Sequence, residues 1–495
     1  MLKSAVVHAP ADPTLRGIAE IRQFFRTNET PIYFISPTAF NLLGIDRWVR
    51  NFFYVTFFDS FEGGHPRVVV PTDRTHREFT SIEDVCNHLL RDPEILAWMA
   101  ARGPGGKAAF VMFDGETEAL AAKAGLQVIH PPAELRSRLD SKLVTTRLAE
   151  EAGLPSVPNT MAWASTYQEL QTLADAASLG DDLVVQTAYG DSGKTTFFIR
   201  GQRDWDRHAE KLVGGELKIM KRINNFEVCL EACLTRCGTV VGPFMTSMIG
   251  CPELTPYQGG WCGNDIYHDA LPKVHRARAR DLTEKLGNRL SQEGYRGFFE
   301  VDFLVDKDSG ELYLGELNPR LSGISSMTNV TAGAYADMPL FLFHLLEYMD
   351  VPYEIDVADI NRRWAQSAGD DVWSQIIIKE TNPEIELLTA APKTGVWRLD
   401  ERGRISFGRW ANDWHSLIDE GEAFYLSIAT RGEYRYKGAD LGILVARGRM
   451  QNDDGELTER CHEWIDALKA QFAGTPVAPG EPSAPVRLVA LKQPG

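Results

Sequence analysis

In the stretch "GELNPRLSG", Glu316, Asn318 and Arg320 stand at every second position, and a further carboxylate, Asp302, lies upstream in "FFEVDFLVD". Residues two apart project from one face of a strand. A strand carrying Asp302 can lie beside the strand carrying the other two. Two carboxylates and an amide, all oxygen donors, suit Mg²⁺ held together with nucleotide phosphates. Arg320 can reach the same phosphates or a substrate carboxylate. The bland alternative is an acidic, solvated strand face. The Asn-Pro and Ser-Gly steps argue against it, because they bend the chain sharply at this point.

A second chemical feature is "AYGDSGKTT" at 188–196. It fits the phosphate-loop pattern G-x-x-x-x-G-K-[ST] except at Ala188. Such a loop must open a helix, whose first amides and dipole face the phosphates. Here "TTFFI" follows, and its residues favour a strand. The local order is therefore strand, glycine loop, strand. A hairpin loop of Gly190, Asp191, Ser192, Gly193 and Lys194 can still bind phosphate, because glycines allow close backbone approach and successive amides form an anion nest. Lys194 and the hydroxyls of Ser192, Thr195 and Thr196 add donors. Taken alone, the motif leaves a plain surface hairpin open.

No Ser/His/Asp or Cys/His arrangement suggests a covalent nucleophile. Cys229, Cys233 and Cys237 are evenly spaced, but "FEVCLEACLTRCGTVV" alternates like a strand, and free cysteine packs as a small hydrophobe. A buried structural role is expected for them, with metal binding as the alternative. The segment "CPELTPYQGGWCGNDIYHDALP" at 251–272 is rich in glycine, aromatic and polar residues, as functional loops are. Trp261, Asn264 and Asp265 are its candidate substrate contacts. Ser322 and Gly323, just after the arginine, are two more.

These residues sit in a chain of 495 residues that is 44% hydrophobic and 24% charged, with seven scattered cysteines and a net charge of −16. At ~100–200 residues per domain, two to four domains are expected. The acidity argues against nucleic acid or an anionic membrane as main partner. "MLKSAVVHAPADPTL" lacks signal-peptide organisation. The longest apolar run, "MPLFLFHLLEYM" at 338–349, is too short to span a bilayer. A cytoplasmic protein with few, unpaired cysteines is expected.

The elements that must position the site read as follows. "PIYFIS", "KAAFVMF" and "LQVIH" are strands, with "DGETEALAAKAG" a helix between the last two, which suggests βαβ units and a parallel sheet. Asp140 or Ser141 caps the helix "KLVTTRLAEEA", which ends at Gly153. "TYQELQTLADAAS" is a helix and "DLVVQTA" the strand leading into the glycine loop. "FFEVDFLVD" and "ELYLGELN" are strands joined by the turn "KDSG". Residues 355–470 hold further strands and close with the amphipathic helix "ELTERCHEWIDALKAQF". The Pro- and Gly-rich tail forms no core of its own.

"SKLVTTRLAEEAGLPSVP", "LVVQTAYGDSGKTTFFI", "FEVCLEA" and "VDFLVDKDSGELYLGELNPRLSG", in this order, resemble the ATP-grasp superfamily over roughly 107–330. The resemblance implies a multidomain α/β and α+β chain. A pre-ATP-grasp α/β domain would span 1–139 and an ATP-grasp domain 140–352, the latter divided into a lid at about 140–215 and a metal-site subdomain at about 216–352. A β-rich C-terminal domain would follow at 353–473, then a flexible tail at 474–495. "DLGILVARGRM" looks like the end of biotin-carboxylase-type members. Matching the motifs residue by residue implies that Lys142, Gln186, Gly190, Asp191, Ser192, Gly193, Lys194, Thr195 and Thr196 contact ATP phosphates. "KIMKRI" at 218–223, which includes Lys218 and has Lys221, Arg222 and Ile223 as its ATP contacts, would form the adenine hinge, and Glu227 would bind the ribose. Asp302, Glu316 and Asn318 would be metal ligands, and Arg320, with Lys194, would serve the acyl-phosphate step. Gln186 departs from the family, which commonly has a lysine there, and Lys194 is the candidate replacement for that charge.

The activity so implied is an ATP- and Mg²⁺-dependent (or Mn²⁺-dependent) ligase. It would activate a carboxylate as an acyl phosphate, release ADP and phosphate, and form an amide with an amine, with amino-acid-like substrates and a homodimer by analogy. A biotin-carboxylase-like use of bicarbonate is less favoured, because the Val-Glu-His run that follows the arginine in that branch is replaced by "LSGISSMTNV". A non-catalytic nucleotide-binding regulator is the remaining alternative.

Overall fold

The run IYFIS is buried at every position, and so is FFYVT. Strands apolar on both sides belong to parallel sheets covered on both faces. That is what they form in the computed structural model of this chain, which describes residues 14–73, 79–190, 195–331, 336–366 and 371–477. Strands β1 (Ile32–Ser36), β2 (Phe52–Thr56), β3 (Val68–Val69), β4 (Lys107–Phe110) and β5 (Gln127–Val128) make a parallel sheet in the order β3-β2-β1-β4-β5. The chain leaves β1 toward one side and returns to β4 on the other.

Next comes a four-stranded antiparallel sheet of β6 (Asn159–Ala162), β7 (Leu183–Gln186), β8 (Thr196–Ile199) and β9 (Leu217–Lys221), in the order β6-β9-β7-β8. Alternation sorts its faces. Leu183, Val185, Phe197, Ile199, Leu217 and Ile219 share a core with Leu170, Trp205 and Leu212 from two helices. Val184, Gln186, Lys218 and Met220 lie on the opposite face. The expected hairpin at the glycine loop is present, with Gln186 opposite Thr196. Gly190, at φ +150°, needs to be glycine because Thr195 fills the space a Cβ would occupy. Asp191, Ser192, Gly193 and Lys194 lie outside the described residues.

The remaining large strands are β10 (Asn225–Thr235), β11 (Gly238–Thr246), β12 (Met248–Ile249), β13 (Trp261–Ile266), β14 (Gly297–Asp306), β15 (Leu312–Asn318) and β16 (Trp373–Lys379). After them come β17 (Glu386–Ala390), β18 (Gly395–Leu399), β19 (Ile405–Arg409), β20 (Glu422–Ser427), β21 (Tyr434–Arg435), β22 (Asp440–Arg447) and β23 (Ala473–Pro476). One sheet runs β15-β14-β10-β11-β13-β16-β22-β20-β18-β19, with β12 on β13. The strands β10 to β15 and the C-terminal strands thus belong to one continuous sheet, joined where β13 pairs with β16. A small sheet, β21-β17-β23, flanks it. The tail expected from residue 474 begins later, since Gly474, Thr475 and Pro476 pair with β17. Among the described residues, no helix is long and apolar enough to cross a membrane.

Candidate active site

The hairpin β14–β15 delivers the carboxylates. Its register sets Asp302 opposite Glu316 and Glu300 opposite Asn318. On the other side of β14, β10 places Cys229 opposite Asp302, Glu231 opposite Glu300 and Glu227 opposite Leu304. Glu227, Glu300, Asp302 and Glu316 therefore converge from three adjacent strands, and all four line one cavity of about 1490 Å³. Burial, Glu300, Glu227 and Glu316 together push the Asp302 carboxyl well above its ordinary range. Burial chiefly, with Glu316 adding, raises Glu227 to about 7. Burial also raises Glu300 to about 7, against the lowering effects of a Ser322 hydrogen bond and Arg320. Burial and crowding disfavour the charged form of these carboxylates, and a bound cation would favour it. The set is oxygen-rich, so it fits a hard divalent ion, and Asp302, Glu316 and Asn318 are the residues that would hold one. The Cys229 thiol joins Glu300 and Asp302 within 4.8 Å. It is buried, and burial pushes its pKa up. Cys233 is buried in the core as expected.

Two lysines face this cluster. The helix Lys142–Glu151 is capped by Ser141, whose hydroxyl accepts from the Val144 amide, and the Lys142 amide donates to Ala188 O at 2.8 Å. That bond ties the helix start to the glycine loop. Lys142 pairs with Glu316. Lys218 was read from sequence only as part of the hinge, yet β9 sets it directly opposite Gln186. It is 3% exposed. Burial first, then Lys142, lowers its ammonium to about 8. Lys218 thus brings a positive charge beside Gln186 from the neighbouring strand, although it does not itself line the cavity. Alternation signalled it: Leu217 and Ile219 face the core, so Lys218 and Met220 face away from it.

The hairpin and hinge close the same cavity. Gln186, Gly190, Thr195, Thr196, Lys221, Arg222 and Ile223 all line it. Gln186 donates to the Thr196 hydroxyl at 3.0 Å. The amides of Lys221 and Arg222 are already committed, to Pro158 O and Asp182 O, so any amide donor to a ligand here comes from beyond Arg222. Val157, Val184, Met220, Leu304 and Leu314 make an apolar slot beside this turn.

At the far end, Arg320 donates to Asn318 Oδ1 at 2.8 Å and pairs with Asp140 at 3.5 Å. Ser322, Gly323 and Trp261 line the cavity with it. The Trp261 ring lies against Gly323, where an added Cβ would collide with it. Asn264 and Asp265 are corrected. Both are fully buried and neither lines the cavity. Asn264 accepts from Trp261 Nε1 at 3.0 Å and donates to Thr246 O at 2.8 Å, so it positions the ring. Asp265 accepts from Ser374 Oγ at 2.6 Å and from the Gln451 amide at 2.9 Å, which pins β13 to the C-terminal strands. A central strand buries polar side chains that would face solvent on an edge.

No protein-family model matches the chain. The architecture and the placement of the cavity between two antiparallel sheets are those of the ATP-grasp fold. A biotin carboxylase from Campylobacter jejuni in complex with β-γ-ATP is similar, with a TM-score of 0.59 and 15% identity, covering 90% of this chain and 92% of that one. The biotin carboxylase domain dimer of Hydrogenobacter thermophilus 2-oxoglutarate carboxylase, solved with MgADP, ADP and bicarbonate, gives 0.57 at 12% identity over 90% and 91%. Carboxyaminoimidazole ribonucleotide synthase from Aspergillus clavatus, complexed with ATP, gives 0.55 at 12% identity over 90% and 99%. In sequence, 222 residues are 23% identical to the mitochondrial methylcrotonoyl-CoA carboxylase subunit alpha of Arabidopsis thaliana, a match over 43% of this chain and 29% of that protein.

Proposed function

We propose that the chain is an ATP-dependent ligase that activates a carboxylate as an acyl phosphate, with release of ADP, and then joins the acyl group to an amine with release of phosphate. One observation carries the reading: a single cavity collects the carboxylate cluster, the Lys142–Glu316 pair and Arg320 beneath a glycine hairpin and beside an apolar slot. Its volume, about 1490 Å³, exceeds the ~300–1,000 Å³ of single-ligand pockets, which leaves room for a nucleotide and further substrates. The complexes of the structural neighbours with ADP, ATP and magnesium support the same reading.

In this reading the apolar slot takes adenine and Glu227 the ribose. Lys142 holds the phosphates, the buried Lys218 adds positive charge behind it, and the hairpin with Gly190, Thr195 and Thr196 covers them. Magnesium on Asp302, Glu316 and Asn318 would neutralise phosphate charge. Arg320 holds the substrate carboxylate and then its phosphorylated form. The lid extends to Lys221, since β9 belongs to its sheet. The cytoplasm is the proposed site of action.

Panels of amino acids with ATP and Mg²⁺ test this. ADP and phosphate should form in equal amounts only when an acid and an amine are both present. Formation of AMP and pyrophosphate would refute the reading.

A second reading, bicarbonate-dependent carboxylation, is favoured by the names of the structural neighbours. Ligation is preferred because "LSGISSMTNV" stands after Arg320 in place of the Val-Glu-His run. Incorporation of labelled bicarbonate into biotin would reverse that preference.

A further inference from the structure

The cavity extends beyond Arg320 to the N-terminal parallel sheet. Its wall there is built from the carboxyl ends of three neighbouring strands: Ser36 to Asn41 after β1, Phe57 and Phe58 after β2, and Val111 and Met112 after β4. The strand order reverses direction between β1 and β4, and such a crevice at the carboxyl ends is where open parallel sheets bind ligands.

The wall is mostly apolar, with Ser36, Thr38 and Asn41 as its polar members. Phe40, Phe57, Phe58, Ile82, Val111 and Met112 line it, and among the described residues before Lys142 none that lines the cavity carries a charge. The aromatic rings are fixed from behind: Phe40 shares a core with Leu321 and Ile324, and Phe57 and Phe58 share one with Val85 and Phe113. The Phe58 amide donates to Pro37 O at 3.0 Å, which locks the ends of β1 and β2 together. A phosphate or a charged side chain placed here would lose hydration and gain no charged partner from the described residues of this wall. An apolar one would gain by burial.

The wall is also within reach of the reacting end. Arg136 touches Met112 Sδ at 3.8 Å and pairs with Asp140 at 3.4 Å, and Asp140 in turn pairs with Arg320 at 3.5 Å. Asn41 donates to Ser322 O at 2.7 Å, joining the β1 loop to the segment after Arg320.

We propose that this crevice binds the side chain of a substrate amino acid and selects a large apolar one, aromatic or branched aliphatic, whose carboxylate lies at Arg320. The substrate class rests on the ligase reading above, but the crevice can be tested without turnover. The probe is labelled L-phenylalanine in equilibrium dialysis with the full chain, Mg²⁺ and ADP, with L-leucine, L-aspartate and O-phospho-L-serine as competitors.

L-Phenylalanine should bind and L-leucine should displace it, while the two anionic competitors should be at least about tenfold weaker. Ile82→Trp fills the crevice from a partly exposed position and leaves the Ser81 cap intact. It should weaken L-phenylalanine by about tenfold or more with ADP affinity and thermal midpoint unchanged. Equal or tighter binding of O-phospho-L-serine would overturn the proposal. So would absence of L-phenylalanine binding, or an affinity indifferent to Ile82→Trp. Binding as expected with no ADP formed from any acid–amine pair would support the crevice and count against the ligase reading alone.

Discussion

Lys218 illustrates how a site charge can move between strands. Its ammonium lies beside Gln186, close to Lys142 and Glu316, and burial costs it part of its proton affinity. Replacement by methionine removes a buried charge whose desolvation is unfavourable. Lys218→Met should therefore keep the thermal midpoint at or above that of the parent. It should weaken ATP by about tenfold, as read by calorimetry, because one buried positive charge behind Lys142 is lost. Glu316 sits at the opposite extreme, because it joins the carboxylate cluster to Lys142. Glu316→Gln should cut steady-state ADP formation by about a hundredfold or more, the scale of a lost electrostatic contact at phosphoryl transfer, with far-ultraviolet circular dichroism unchanged. Asp265 behaves differently from both. Asp265→Ala should lower stability by about 3 kcal/mol in denaturant titration, because buried donors from Ser374, Met450 and Gln451 lose their acceptor. The KM for each substrate should stay within about twofold of the parent, as expected of a residue that touches no ligand.

At the scale of elements, the sites that could be read from sequence were those held by a single hairpin. The turn between "FFEVDFLVD" and "ELYLGELN" pairs the two strands with no distant partner, but plain alternation would set Asp302 opposite Gly315; a bulge at Gly315, which the sequence does not signal, brings Glu316 opposite Asp302. The strand character of "TTFFI" likewise showed that the glycine loop opens no helix. What could not be read depends on neighbours remote in sequence. Asn264 and Asp265 look like loop polar groups until β11 and β16 are laid on either side of β13, which buries them in a sheet interior. Lys218 had a legible face but no legible partner, since its position opposite Gln186 is set by the pairing of β7 with β9. The crevice at β1, β2 and β4 arises from the order of strands in a sheet, which single-strand patterns do not specify. The contact of Gly323 with Trp261 is of the same kind, and it too can be tested. Gly323→Ala should displace the ring and lower kcat/KM for the amino-acid substrates by about tenfold, with ATP affinity unchanged.

At the scale of the whole molecule, the cavity belongs to no single sheet. The N-terminal sheet supplies its apolar wall, the four-stranded sheet its cover, and the long sheet both its carboxylates and, through β22 and the loop before it, further lining. That division assigns the apolar crevice, the hairpin cover and the carboxylate cluster to separate pieces of chain brought together by folding. The central claim is that their joint product is an acyl phosphate captured by an amine. The most direct measurement is ³¹P spectroscopy of the complete reaction with ATP, Mg²⁺ and a mixed amino-acid pool, combined with mass spectrometry of the organic product. The account predicts ADP and phosphate in equal amounts to a new amide that contains an apolar residue, and loss of all three in Glu316→Gln. AMP with pyrophosphate, or ADP formation that depends on bicarbonate and proceeds without an amino acid, would contradict it.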